Sequence, residues 1–259
     1  MSLFGSSNPP LRDWQGKTVW IIGASTGIGA ATAHALHAKG AHVIVSARNL
    51  DMLRAFAHRH PGAQALVLDA CDRVAVQQAA AQVLAQGKVD CVMYCAGYYK
   101  PMRGFALDVD DALRHMGVNY HGALYLLEAV LPHLVAQGNA HISLVGSVAG
   151  YRGLPNSFAY GPSKAALIHL AEALHLDLKS RHVAVSLVNP GFVETPLTAQ
   201  NQFKMPALLT PAQAAEAILQ GWAAGKFEIH FPKRFTLWLH VLRLLPYRLY
   251  FSIVNKVTA

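Results

Sequence analysis

The chain has 259 residues, 53% of them hydrophobic and 14% charged, with a net charge of +8. That length suits one large α/β domain, and no Pro/Gly/Ser-rich linker, charge block or internal repeat divides it. Lys and Arg are scattered without a recognised binding motif, which speaks against nucleic acid; the same charge suits anionic cofactors, anionic substrates or acidic lipid headgroups, or is a solvated basic surface.

In chain order, Met1 to Asp13 carries neither a basic n-region nor an apolar h-region, so no secretory leader is expected. Thr18–Ile22 is a short β-rich apolar run ending at Gly23. An Ala-rich segment from Ile28 to Lys39 predicts a helix stopped by Gly40, and His42–Ser46 predicts the second strand. The pattern repeats through a helix at Leu50–His60, a strand at Ala65–Leu68, a helix at Val74–Ala85 and a strand at Val89–Tyr94. Long helices are predicted over Ala106–Gln137 and Ser157–Ser180, separated by a strand at His141–Val145, and Val183–Val188 closes the series. Continuous apolar strands signal burial on both faces. Repeated strand–helix alternation predicts an α/β fold: a single-domain, Rossmann-like, doubly wound parallel sheet with right-handed crossovers and helices on both faces.

Directly after the first strand comes Gly23-Ala24-Ser25-Thr26-Gly27-Ile28-Gly29, opening the first helix. Glycines permit the tight turn and let backbone N–H groups approach a pyrophosphate at the positive end of the helix. In the first βα junction this pattern points to dinucleotide binding. The end of the second strand reads Ser46-Ala47-Arg48-Asn49, with no acid to hold a ribose 2′-hydroxyl. Arg48 is either an exposed loop arginine or the fork that receives a 2′-phosphate, and the missing acid favours NADP(H) over NAD(H).

Tyr160 and Lys164 stand four residues apart and share one helix face. A phenol titrates near ~10 in water, and a nearby ammonium favours the phenolate. Lys164 is therefore expected to lower the Tyr160 pKa and make the phenol a proton donor and acceptor near neutral pH.

Taken together, these residues resemble the short-chain dehydrogenase/reductase family in its compact single-domain branch, over about Lys17 to Pro196. Gly23, Gly27, Ile28 and Gly29 match its cofactor loop; Asp69 matches the acid that contacts adenine; Asn119 matches the asparagine of the long fourth helix. Ser147 lies thirteen residues before Tyr160, and Tyr160/Lys164 match the Tyr-x-x-x-Lys pair. Pro190-Gly191-Phe192-Val193-Glu194-Thr195 matches the segment that holds the nicotinamide carboxamide. Tyr94-Cys95-Ala96-Gly97 departs from the family's Asn-Asn-Ala-Gly; Ala96 and Gly97 still admit the cofactor, while the lost amides each remove roughly 1 kcal/mol of local hydrogen bonding.

The resemblance implies hydride transfer between nicotinamide and a carbonyl or secondary alcohol carbon. It implies Tyr160 as acid and base, Ser147 hydrogen-bonding the substrate oxygen, Lys164 holding the nicotinamide ribose, and Asn119 supporting a water on the proton path. Taken singly, Ser147 and Asn119 read equally as backbone caps. The resemblance further implies C=O rather than C=C chemistry, because the family's enoyl-reductase branch uses a longer Tyr–Lys separation. The resemblance also implies a homodimer or homotetramer paired through the two long helices.

Tyr98, Tyr99, Met102, Leu154, Leu197, Phe203 and Met205 are expected to line a mostly apolar substrate cleft, suited to a hydrophobic ketone, a steroid-like ring or an acyl chain. Cys71, Cys91 and Cys95 lack metal-ligand spacing and read as free thiols of a reducing, cytoplasmic compartment. Cys95 reads as a redox switch or, more simply, as a small core thiol. From Lys233 to Lys256 the chain is rich in Leu and aromatics with five interspersed cations and a Pro246 break, which argues against a spanning helix. This segment is expected to lie in a membrane interface, to cover the cleft or a partner subunit, or to pack on its own domain. Two roles other than catalysis fit the same chain: a regulatory or scaffolding protein that binds cofactor without turnover, and a peripheral membrane protein defined by its tail.

Overall fold

The computed structural model describes residues 6–201, 203 and 205–258. Residues 1–5, on which part of the leader reading falls, lie outside this range, as do residues 202, 204 and 259. Seven strands form one sheet: β1 Thr18–Ile22, β2 His42–Ala47, β3 Gln64–Val67, β4 Cys91–Tyr94, β5 Ala140–Val145, β6 Val183–Pro190 and β7 Glu228–Phe231. They lie in the order β3-β2-β1-β4-β5-β6-β7 and every pairing is parallel. The order reverses between β1 and β4, and a ligand crevice forms outside the carboxyl ends of the strands at such a switch point.

The helices are α1 Gly27–His37, α2 Leu50–Arg59, α3 Arg73–Leu84, α4 Val109–Met116, α5 Gly122–Gln137, α6 Tyr160–Leu178, α7 Pro211–Ala223, α8 Lys233–Leu244 and α9 Tyr247–Thr258. Side chains of a strand alternate between faces, so β1 feeds two cores. Trp20 and Ile22 join Val76, Leu126 and Leu167 on the face covered by α3, α5 and α6. Val19 and Ile21 join Leu36, Leu53, Ile218 and Trp222 on the face covered by α1, α2 and α7. Two fully buried indoles are satisfied, Trp20 donating to Ser46 Oγ at 2.9 Å and Trp222 to Ser186 Oγ at 3.0 Å. β3 is a sheet edge with three of its four residues exposed, unlike the doubly buried strands that the apolar runs predict.

The long helix expected over residues 106–137 is broken. Between α4 and α5 the chain makes one π-helical turn at Gly117–His121. The Tyr94 hydroxyl donates to the Val118 carbonyl at 2.5 Å, and the Asn119 side chain is claimed by the loop after β4. Wide turns of this kind concentrate at functional sites. Beyond the last predicted strand, α7 starts at a capping box, with Thr210 Oγ1 accepting from the Gln213 amide and Gln213 Oε1 from the Thr210 amide. β7 then extends the sheet, and the 233–258 segment folds as α8 and α9 on either side of Pro246.

Candidate active site

A cleft of about 480 Å³ opens at the carboxyl ends of β1, β4, β5 and β6. Gly23, Ser25, Thr26, Gly27, Ile28, Arg48, Asp69, Ala96, Gly97, Ser147, Tyr160, Lys164, Pro190, Gly191, Val193 and Thr195 all line it. The fold thus brings together residues spread over most of the chain. Gly29 and Asn119 stand behind the wall: a Cβ on Gly29 would overlap the Gly23 carbonyl, and Asn119 is fully buried.

At one end the glycine turn crosses from β1 into α1. Gly23 has φ +88°, and a Cβ there would overlap the backbone of Ala96 in the neighbouring loop. Only glycine meets both demands. The first turn of α1 carries no acidic residue, and its N-cap, Thr26, makes no side-chain cap hydrogen bond. The amides of that turn therefore present partial positive charge to the cleft, the chemistry a pyrophosphate needs. Further along the wall, Arg48 is exposed, and the Asn49 side chain is occupied as the α2 cap, accepting from Met52 N at 3.0 Å. Asp69 is exposed and accepts from the Cys71 amide at 2.9 Å.

At the other end α6 begins at Tyr160, and one turn on, Lys164 is buried beneath it at 3% exposure. Lys164 Nζ donates to the Val145 carbonyl at 2.8 Å and lies 5.8 Å from the Tyr160 ring centroid. Burial draws the ammonium down to about 8. Burial also pushes the Tyr160 phenol up, to about 12, with the nearby Ser147 hydroxyl pulling the other way. The expected lowering of the phenol by Lys164 is thus reversed here: desolvation of the phenolate outweighs its neighbours. Ser147 lies two residues past β5, where its hydroxyl accepts from the Ala149 amide at 3.1 Å.

Asn119 locks the two halves together. Its Oδ1 accepts from Tyr98 N at 2.7 Å, while its Nδ2 donates to the Tyr98 carbonyl at 3.0 Å and to Ser163 Oγ at 2.8 Å. Ser163 in turn donates to the Tyr160 carbonyl at 2.7 Å. Ser163 was not singled out from the sequence, although it lies inside the Tyr160–Lys164 stretch. A side chain between two catalytic candidates on one helical turn was the available signal.

The expected substrate-lining residues divide. Leu197 lines the cleft, and Tyr99 stacks edge-on against Tyr160 with ring centroids 4.9 Å apart. Tyr98 turns away: its hydroxyl donates to Asp111 at 2.6 Å and Arg114 lies over its ring. Met102 is buried and its amide bonds the Asn156 carbonyl; Leu154 accepts from the Ser157 amide. Phe203 packs on Phe192, and Met205 Sδ accepts from Asn201. Pro196, Thr198 and Gln200 also line the cleft and were not anticipated. All three cysteines are free thiols. Burial raises the Cys95 thiol to about 11, so it remains protonated; the residue is half-buried, packing against the core while lining the cleft.

Residues 17–205 match the family model described as short chain dehydrogenase. An uncharacterized oxidoreductase of Myxococcus xanthus is 32% identical over 93% of this chain and 97% of its own length. A 3-oxoacyl-[acyl-carrier-protein] reductase of Thermotoga maritima is 31% identical over 82% of this chain and 85% of its own length. Among solved structures, a short-chain dehydrogenase from Streptomyces avermitilis superposes with a TM-score of 0.80 at 25% identity, covering 94% of this chain and 98% of that one.

Proposed function

The chain belongs to the short-chain dehydrogenase/reductase family, and from that premise we propose that it is an NADP(H)-dependent oxidoreductase acting between a carbonyl and a secondary alcohol on a hydrophobic substrate. The observation that carries this reading is one arrangement. A buried lysine stands one helical turn from a cleft-facing tyrosine, Ser147 lines the same cleft, and all three share it with an uncapped helix N-terminus.

A bound nicotinamide supplies or accepts the hydride. The chain's own residues do the rest. Tyr160, protonated across the physiological range, donates its proton to the carbonyl oxygen as charge gathers there, and takes it back in the reverse direction. Ser147 donates a fixed hydrogen bond to the same oxygen. Lys164 places a positive charge beneath the ring, which favours the phenolate left after proton transfer. Asn119 holds the Gly97–Tyr98 loop against α6, keeping the cleft walls in register.

Preference for NADP(H) is supported by Arg48, the one charged group in Ser46-Ala47-Arg48-Asn49, exposed on the cleft wall where a 2′-phosphate would lie. A hydrophobic ketone is supported by Leu197 and Val193 in the cleft lining and by the Tyr99 ring against Tyr160. The Thermotoga maritima relative, named for a 3-oxoacyl substrate, makes an acyl-chain ketone the first compound class to try. Pairing of protomers through α5 and α6, and work in a reducing compartment, belong to the same reading. The test is NADPH absorbance followed over a panel of aliphatic, acyl and cyclic ketones. Consumption dependent on a hydrophobic ketone is expected; no consumption with any of them rejects the reading.

A further inference from the structure

Surface helices ordinarily bury an apolar stripe and show water a polar one. α8 turns Phe235, Leu239 and Leu242 partly inward and yet is apolar on its outward side as well. Thr236 is fully buried and Phe235 packs inward against Phe192, at 5.5 Å between ring centroids, while the outward face carries Leu237 (54% exposed), Trp238 (70%), Val241 (52%) and Leu244 (83%). The surface continues across the Pro246 break onto α9, where exposed Tyr247 and Phe251 stack at 5.7 Å. The arrangement is held in place: Arg152 Nη1 donates to the Leu242 carbonyl at 3.0 Å and the Leu245 carbonyl at 2.6 Å, and Tyr250 donates to the Gly153 carbonyl at 2.5 Å. The outward apolar face is therefore a fixed feature of the fold.

Charge decides what covers it. From residue 233 to 259 the chain holds Lys233, Arg234, Arg243, Arg248 and Lys256 and no acidic residue. A second copy seated on this face about a two-fold axis would bring two such sets of cations together with no counter-anion from either tail. An anionic lipid surface supplies both an apolar layer and the opposite charge. Trp and Tyr rings suit the headgroup boundary. Among the described residues no helix is long and apolar enough to cross a membrane, so the contact lies along the surface.

We propose that α8 and α9 form a docking face for an anionic bilayer. Phe235, at the root of α8, lies against Gly191 and Phe192, and Gly191 lines the active-site cleft. Docking brings that cleft wall to the lipid boundary and gives a membrane-dissolved substrate a short route in.

The test is co-sedimentation of the full chain with vesicles of phosphatidylcholine alone and of phosphatidylcholine mixed with phosphatidylglycerol. Expected is at least about tenfold stronger binding to the anionic vesicles, weakened by high salt. A Trp238→Ser, Leu244→Ser double variant, whose changed positions are both solvent-facing, is expected to keep its thermal midpoint and to lose at least about tenfold in vesicle binding. Equal sedimentation on both vesicle types, or a double variant that binds as well as the parent, overturns the proposal. A parent that ignores vesicles while the double variant drops from a dimer to a monomer also overturns it, and assigns the face to a second copy.

Discussion

Lys164 Nζ is fixed to the Val145 carbonyl at 2.8 Å, so the ammonium beneath Tyr160 is positioned by the last residue of β5 and not only by its own helix. Because burial lowers this lysine from 10.5 to about 8, its charge is complete only below that pH. Tyr160, raised to about 12, stays protonated throughout. Ketone reduction is therefore expected to be maximal below about pH 8 and to fall as pH rises through it, one proton being lost. A pH profile of kcat checks this, and a Lys164→Met variant is expected to be slow at every pH and to lack the step. A parent profile flat through that pH contradicts the assignment.

If the cofactor is NADP(H) as proposed, Arg48→Ala removes a cation that lines the cleft and would meet the 2′-phosphate. A charge-assisted hydrogen bond is worth about 1.5–3 kcal/mol, so KM for NADPH is expected to rise by about 10–100-fold. KM for NADH is expected to stay within a factor of about two. Parallel weakening for both cofactors would mean that Arg48 serves the loop and not the phosphate.

Asn119→Ala deletes three hydrogen bonds at a fully buried site and leaves the Tyr98 amide and Ser163 hydroxyl without those partners. At about 1 kcal/mol net per bond the expected loss is about 3 kcal/mol, read by denaturant unfolding. Because the same bonds hold the cleft walls, kcat is expected to fall with stability. A stable variant with normal turnover would show that the π-helical turn holds itself.

Arg152→Ala frees the carbonyls at the end of α8 and removes the cation lying over the Tyr247 and Tyr250 rings, at 4.6 and 4.1 Å from their centroids. Local opening of the α8–α9 unit should then cost less, and trypsin has five cleavage residues there. Faster release of C-terminal fragments than from the parent is expected under limited digestion; equal rates would show that the tail is held elsewhere.

Which parts of this were readable from residues alone follows from range. The sheet was readable because strand burial writes itself locally, as in Val19–Ile22. The glycine turn and Tyr160–Lys164 were readable because their chemistry is set by spacing within a few positions. What escaped depends on distant partners. The break at Gly117–His121 is made by Tyr94 and the Tyr98 backbone, more than twenty positions upstream. Tyr98 leaves the cleft because Asp111 and Arg114 capture it. The direction of the Tyr160 shift was misjudged since spacing shows the neighbouring charge but not the depth of burial. The outward apolar face of α8 could not be told from a buried one until Thr236 and Phe235 were seen to face inward.

The most direct measurement is Tyr160→Phe, assayed for ketone-dependent NADPH consumption alongside NADPH affinity by fluorescence. Losing only the hydroxyl, the variant is expected to bind NADPH within about twofold of the parent and to lose at least the 10²–10⁴-fold that a positioned proton donor contributes. Turnover close to that of the parent, with cofactor bound, would contradict the account.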